Sequence, residues 1–347
     1  MELPSEVAPR RLARRGLQVL ALIGVLVLVI VLAPGLGDVR HRLGDARPGW
    51  LALGVALEAL SGLSYLLMFR PVFCQRMSWR SSAEIAWAEL GMGSIVPASG
   101  AAGLALGAWI LREGGMPGDR IARRSVAFFL IKSSVNFAAV AVLGALLAVG
   151  LVGPHQPLWR TAVPAVAAVA AMAAVLTIPR LGPGPPAAPD APRARRFAAA
   201  ARRALIGGTA EAVQILRARE LAVLLGSFGY WAFDNAVLWA TFRAVGASPP
   251  LSVILMGYLI GQLGGLLPIP GGIGGIGGGL LGTLIVYGAP AAATAAAVVA
   301  YQVILFWLPL LVGIVAFVSL RRGLNRPDRP DLCPAPPTPQ LVVTLNR

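Results

Sequence analysis

Pro268-Ile269-Pro270-Gly271-Gly272-Ile273-Gly274-Gly275 interrupts an otherwise apolar stretch that runs from residue 252 to 288. An unbroken run of that length would cross a membrane as one helix, since about 20 residues rising ~1.5 Å each match a hydrocarbon core of roughly 30 Å. The two prolines and four glycines at its centre oppose this. Proline removes a backbone donor, and glycine favours departure from the helix. Each remaining leg is a helix of roughly 12–16 residues, too short to cross alone. A second apolar stretch, 83–111, is built the same way around Pro97-Ala98-Ser99-Gly100.

Outside these two stretches lie six uninterrupted apolar runs: Leu17–Ala33, Trp50–Phe69, Ser125–Val149, Thr161–Ile178, Leu221–Phe242 and Thr294–Leu320. Each approaches or exceeds the length of a membrane span. If both interrupted stretches crossed once, the basic residues would divide 14 to 15 between the two sides. If both enter and return on one side, the division is 24 to 5, with Lys132 in the membrane. Lys and Arg accumulate on the cytoplasmic side, so the second threading is selected. The expected fold is an all-α integral membrane protein with six full spans and two re-entrant helical hairpins, 83–111 and 252–288.

In that threading, residues 1–16 form a basic cytoplasmic N-terminus and 17–323 a polytopic membrane domain. Within it, 179–220 comprise a cytoplasmic Pro/Ala-rich linker and a basic amphipathic helix suited to the anionic inner leaflet. Residues 324–347 are expected to be a disordered cytoplasmic tail. The first hairpin enters from the cytoplasm and the second from outside. Pro97 precedes Pro117, and Pro270 precedes Pro290, by the same 20 residues. Opposite entry with a shared internal spacing predicts an inverted repeat.

Composition agrees. The 347 residues are 57% hydrophobic and 13% charged, with a mean hydropathy of +0.74; soluble domains carry about 25% charged residues. A soluble enzyme is excluded. The net charge of +15 resides in arginines that lie between apolar runs, where they orient a chain in the bilayer, so no nucleic-acid partner is expected. Arg10, Arg11, Arg14 and Arg15 precede a first run too long for a signal-peptide core, and no small-residue cleavage site follows; an uncleaved span is expected. Cys74 and Cys333 lack metal-ligand spacing, fall in segments assigned to the cytoplasm, and are expected to be free thiols.

Catalytic constellations are missing. Gly272-Ile273-Gly274-Gly275-Ile276-Gly277 fits a dinucleotide fingerprint in letters only, because no strand precedes it. There is no phosphate-binding P-loop sequence, and His41 and His155 fall in separate loops without a paired acid. No cofactor and no metal are expected, and the chain is expected not to be an enzyme.

Irregular backbone at membrane depth persists where protein buries it or where it lines a wet cavity. Half-helices starting near Ala101–Gly103 and Ile276–Gly278 would aim free N–H groups and positive dipole ends at such a cavity, suiting a phosphate or carboxylate. The alternative use of the glycines is close helix packing, and both can hold. Ionisable residues within spans are costly and mark function or structural ion pairs. Glu58, Asp234 and Lys132 lie in spans, and Glu89 in the first leg of a hairpin, with Lys132 positioned to pair with Asp234 or Glu89. Tyr301, Gln302 and Gln262 extend this lining, and Ser99, Gly100, Gly272 and Gly274 mark the breaks.

Pro268-Ile-Pro-Gly-Gly-Ile-Gly, Tyr287-Gly-Ala-Pro290 and Tyr301-Gln302-Val-Ile-Leu-Phe-Trp-Leu-Pro-Leu-Leu-Val-Gly313, with Ile95-Val-Pro97-Ala-Ser-Gly100 upstream, resemble the signature of the lysylphosphatidylglycerol synthase transmembrane (flippase-like) family. The resemblance covers roughly residues 15–325. It implies an eight-element membrane domain with two re-entrant helices, associated with lipid translocation or lipid-linked sugar pathways. The chain departs from the family pattern at Ala101, Ala102 and Ala105, where an acidic and a basic residue are usual, at Gln302, where arginine is usual, and around Lys132. Only 27 residues follow Leu320, so lipid aminoacylation by a soluble domain of this chain is not expected. The function expected is translocation or handling of a phospholipid or polyprenyl-phosphate-linked lipid in the plasma (inner) membrane. Its partners would be lipids with anionic or zwitterionic head groups. A membrane-embedded glycosyltransferase or accessory of lipid-linked sugar synthesis is one alternative, and a non-transporting scaffold another.

Overall fold

The computed structural model describes residues 36–95, 101–182, 184, 188, 190–262, 276–324 and 332–333. Among them are eleven α-helices and no strand. In chain order these are α1 (Gly37–Gly44), α2 (Pro48–Phe73), α3 (Trp79–Ile95), α4 (Ala101–Glu113), α5 (Gly118–Ala148) and α6 (Leu158–Thr177), followed by α7 (Arg193–Arg217), α8 (Leu221–Ala244), α9 (Leu251–Gly261), α10 (Ile276–Val286) and α11 (Ala291–Leu324). Among the described residues five stretches are long and apolar enough to cross a membrane: Pro48–Phe73, Gly118–Ala148, Leu158–Leu181, Leu221–Ala244 and Ala291–Gly323. They coincide with five of the six expected spans. The remaining one, Leu17–Ala33, lies outside the described residues, as do the two breaks with Ser99, Gly100, Gly272 and Gly274.

Proline and glycine punctuate these helices. Pro117, Pro157, Pro192 and Pro250 stand immediately before α5, α6, α7 and α9 with extended ψ, and fix the entry into each helix. At the other end, Gly115 (φ 89°) and Gly288 (φ 101°) adopt the left-handed conformation just past α4 and α10. Each sits in a Schellman cap. Met116 N–H donates to Leu111 O and Gly115 N–H to Arg112 O (both 3.0 Å), while Ala289 N–H donates to Leu284 O and Gly288 N–H to Ile285 O (both 2.9 Å). The repeated Gly-x-Pro of the sequence is therefore one device used twice, a left-handed stop followed by a proline start.

At the centre α2 and α8 run antiparallel. Trp50 meets Trp239 edge-on at 5.2 Å at one end, Ser61 Oγ donates to Tyr230 O (3.3 Å) midway, and Gly226 lies against the Met68 backbone at the other end. Around them, α3 and α4 fold back on each other, with Gly103 against the Glu89 backbone. Likewise α9 and α10 pair antiparallel, Gly257 on Leu284 and Gly261 on Leu280.

The two short-helix pairs open towards opposite faces. The start of α3 and the end of α4 lie with the N-termini of α5 and α8 and the C-terminus of α11, as bonds from Ser319 to Glu84, Gln75 to Glu220 and Arg124 to Val72 O show. The end of α10 lies at the far face, where Arg160 and Gln156 donate to the carbonyls of Val286 and Tyr287.

The packing pattern maps onto itself when α1 to α5 are exchanged with α7 to α11 in order. α3 packs on α11 as α9 packs on α5, α7 on α5 as α1 on α11, and α4 on α5 as α10 on α11. Ser61 and Tyr230 lie 169 residues apart. The same interval carries Tyr65 onto Asp234 and Glu89 onto Tyr258.

One expectation is overturned. Cys74, at the C-terminal cap of α2, is joined to Cys333 by a disulfide across 259 residues. The neighbouring Leu332 is buried against Gly114, so both cysteines lie at the arginine-rich face and neither is a free thiol. Distance along the chain hid a pair whose Cα atoms the fold brings to 6.0 Å. The segment 193–219 does form a helix, α7. It packs Gly207 and Gly208 against Arg123 and Val126 of α5, binds Arg123 and Arg124 through Glu211 (3.0 and 2.9 Å), and leaves Phe197 76% exposed.

Candidate functional site

A polar cluster occupies the middle of the helical bundle, where the two central helices meet the first legs of the short-helix pairs. Glu58 from α2, Glu89 from α3 and Asp234 from α8 are all buried. A carboxylate withdrawn from water costs several kcal/mol unless donors or cations compensate it, so its partners define the site.

Asp234 accepts two tyrosine hydrogen bonds, from Tyr258 of α9 to Oδ2 (2.5 Å) and from Tyr301 of α11 to Oδ1 (2.7 Å). Glu89 accepts one, from Tyr65 of α2 to Oε2 (2.7 Å). Its other oxygen rests against Gly107 of α4, where a methyl group would collide with it; the missing side chain of Gly107 is what admits the carboxylate between α3 and α4. Glu58 lies within electrostatic reach of Asp234, but its buried Oε2 has no hydrogen-bond partner. Buried polar atoms nearly always have one.

Lys132, on α5, supplies the cation. Its Nζ lies 5.5 Å from the ring centre of Tyr230 and 5.9 Å from that of Tyr65, a cation–π arrangement. It is within electrostatic reach of both Glu89 and Asp234 but in direct ion contact with neither. The expected direct pairing is thus replaced: the acids are held by tyrosine hydroxyls, and the ammonium sits between them against aromatic faces. Two carboxyl groups, Glu89 and Asp234, flank the amine, a third, Glu58, stands beside Asp234, and the unpartnered Glu58 Oε2 leaves capacity for a further cationic or hydrogen-bonding group.

Of the residues singled out from the sequence, Glu58, Glu89, Lys132, Asp234 and Tyr301 converge here. Gln302 does not; it turns towards Gly277 in the first turn of α10. Gln262 caps α9 one turn beyond Tyr258, on the same side of the helix. Glu84 belongs to the surface, bonded to Arg80 and Ser319. Sequence reasoning missed Tyr65, Tyr230, Tyr258 and Gly107. Two signals were available. The chain has five tyrosines, and four of them meet in this cluster. Moreover Tyr65 to Glu89 and Asp234 to Tyr258 are the same 24 residues apart.

Long apolar helices enclosing charged residues at mid-span define a multi-pass membrane protein with an internal polar site. The family follows from comparison: the model of the lysylphosphatidylglycerol synthase TM region matches residues 18–313, and the chain belongs to that family. It is also similar to a UPF0104 membrane protein of Methanothermobacter thermautotrophicus, 39% identical over 93 residues, a stretch covering 26% of this chain and 26% of that protein.

Proposed function

We propose that the protein is a lipid translocator, not an enzyme, which passes the head group of a phospholipid or polyprenyl-phosphate-linked lipid through the cluster of Glu58, Glu89, Lys132 and Asp234. The observation that carries this reading is the unpartnered Glu58 Oε2 in a buried group of three acids and one lysine at the crossing of α2 and α8. A purely structural ion pair would use up its charges on one another, whereas this one leaves a polar atom for a guest.

In this reading α3–α4 and α9–α10 are re-entrant hairpins entering from opposite faces, the two sets of helices form an inverted repeat, and α2, α5, α6, α8 and α11 with Leu17–Ala33 are the six full spans. The N-termini of α4 and α10 then direct free N–H groups at the chamber and favour the phosphate. The plasma (inner) membrane is the location this reading takes, and the division of 24 basic residues to 5 supports an orientation with both termini in the cytoplasm. The disulfide lies on that same arginine-rich face. Since disulfides persist in oxidising compartments, thiol labelling of intact cells with an impermeant reagent after reduction tests the orientation directly: labelling of Cys74 or Cys333 from outside overturns it.

Translocation is tested in liposomes holding the purified protein and a head-group-labelled fluorescent phospholipid, with dithionite quenching the outer leaflet. The wild type is expected to expose inner-leaflet label. Lys132→Met and Asp234→Asn are expected to slow this at least about tenfold, the effect of one lost charge-assisted contact. Equal rates in wild type and both variants reject the assignment.

A further inference from the structure

Two polar cavities lie at opposite faces of the molecule, and the exchange that relates the two halves relates them too. One, of about 480 Å³, is lined by Asp38, His41, Arg42, Asp45 and Arg47 together with the end of α8 at Ala244–Gly246. The other, of about 450 Å³, is lined by Arg76, Arg120, Arg124, Gln75, Glu220 and the Cys74–Cys333 pair beyond the end of α2. Each is bounded by the exit of one central helix, the N-cap residue of the other (Arg47 for α2, Glu220 for α8), and the end of the helix preceding that cap, α1 or α7. Both volumes fall within the roughly 300–1,000 Å³ of small-ligand sites.

The arginines have free capacity. Arg42 donates to Val245 O (3.3 Å), and Arg124 is engaged by Glu211 and Val72 O. Among the described residues the side chains of Arg47, Arg76 and Arg120 are without partners. The acids are unequal. Glu220 accepts from Gln75 (2.9 Å) and shares its cavity with three arginines, whereas Asp38 and Asp45, the latter paired with His41 (2.7 Å), share theirs with two. Guanidinium groups bind phosphate through paired N–H donors.

We propose that the two cavities are equivalent phosphate-ester sites, one receiving a lipid head group at each face of the molecule, and that the site at the arginine-rich face is the tighter of the two. The acid beside the arginines accepts the ammonium of a zwitterionic head group, and Lys132 and the central acids lie between the two sites along α2 and α8. This deepens the translocator reading and rests on it, since a shuttling head group needs a place of arrival as well as departure.

Calorimetric titration of the protein in a nonionic detergent, with water-soluble dihexanoylphosphatidylglycerol and separately with inorganic phosphate, tests it without any transport step. Two binding events of unequal affinity are expected for the short-chain lipid. Arg76→Gln with Arg120→Gln is expected to weaken the tighter event by about tenfold or more and leave the other unchanged; Arg47→Gln is expected to do the reverse. Arg120→Lys is expected to restore part of the loss, which unfolding would not. Binding of the lipid but not of phosphate assigns the occupant as a lipid head group, and binding of both assigns a free phosphate ester as well; either outcome supports the sites. A single event, or two events indifferent to these substitutions, overturns the proposal. If both events occur as expected while liposomes show no translocation, the translocator reading fails and the paired sites stand.

Discussion

The two halves of the molecule repeat a scaffold but not its chemistry. In the first half a tyrosine on the central helix, Tyr65, donates to an acid on the first helix of a short-helix pair, Glu89. In the second half the acid is on the central helix, Asp234, and the tyrosine on the short helix, Tyr258. Donor and acceptor have exchanged positions while the separation of 24 residues is unchanged. What recurs is a place for an O–H···carboxyl bridge between these two elements; which of them donates is free. Charge is not shared equally either. Lys132 and Glu58 belong to the first half, and Ser227, at the position equivalent to Glu58, bonds only to the Leu224 carbonyl of its own helix (3.2 Å).

The largest break in this comparison would come from the contact between α3 and α11. Gly91 and Gly313 let these helices touch backbone to backbone, and a Cβ on Gly91 would lie 2.7 Å from Pro309 O and 2.9 Å from Gly313 Cα. Both obstacles are backbone. Gly91→Leu is therefore expected to abolish the folded, detergent-soluble protein, read as loss of the monodisperse peak in size-exclusion chromatography. The corresponding contact of α9 with α5 is much lighter, and Ile260→Leu there should leave the peak intact. Next come the two acids. Asp234→Asn disturbs two tyrosine bonds and Glu89→Gln one. At about 1.5–3 kcal/mol for a bond to a charged group, Asp234→Asn is expected to cost about twice as much in thermal stability as Glu89→Gln. Equal costs would show that Tyr301 adds nothing and that the halves are energetically alike.

A third test concerns the disulfide, which ties the central helix of the first half, α2, to the tail. Cys333→Ser is expected to lower stability by about 2–4 kcal/mol, the usual range for removing such a cross-link. Dithiothreitol should reproduce that loss in the wild type and have no further effect on the variant. If reduction leaves the melting temperature unchanged, the tail is not fastened to the end of α2.

Much of the architecture was legible because membrane physics leaves it on the surface of the sequence. Leu221–Phe242 predicted α8 almost to the residue, since nothing but a span accounts for 22 apolar-dominated positions. The acids Glu58 and Asp234 were legible for the same reason, a charge being conspicuous in an apolar run. The tyrosines were not. Tyr65, Tyr230 and Tyr258 are large and mostly apolar, and in a span they read as packing until a partner acid is known to stand beside them. Gln302 stands beside Gly277 in the first turn of α10 and not with Tyr301, because neighbours on a helix point about 100° apart. The cysteine pair could not be seen at all, as its contact is made by the fold and not by spacing.

The smallest effect is expected where the two halves differ at their turns. Tyr287 follows α10, and its hydroxyl donates to Arg160 O (2.6 Å), tying that turn to the start of α6. The turn after α4 has the same Schellman geometry, but Gly114 stands where Tyr287 stands, and the space its side chain would take is filled by Leu332. One half thus closes its turn with a hydrogen-bonded ring and the other with an apolar residue borrowed from the tail. Tyr287→Phe keeps the ring and removes the bond, which is worth about 1 kcal/mol net. Hydrogen exchange of the amides at 158–162 should quicken about fivefold, since that free energy sets the opening equilibrium, while the turn at 114–116 should be unaffected. Substituting Leu332→Ala should do the opposite, loosening 114–116 and leaving 158–162 alone. If either substitution loosened both turns, the two ends of the molecule would be coupled through the central helices, and the halves could no longer be treated as separate units joined at α2 and α8.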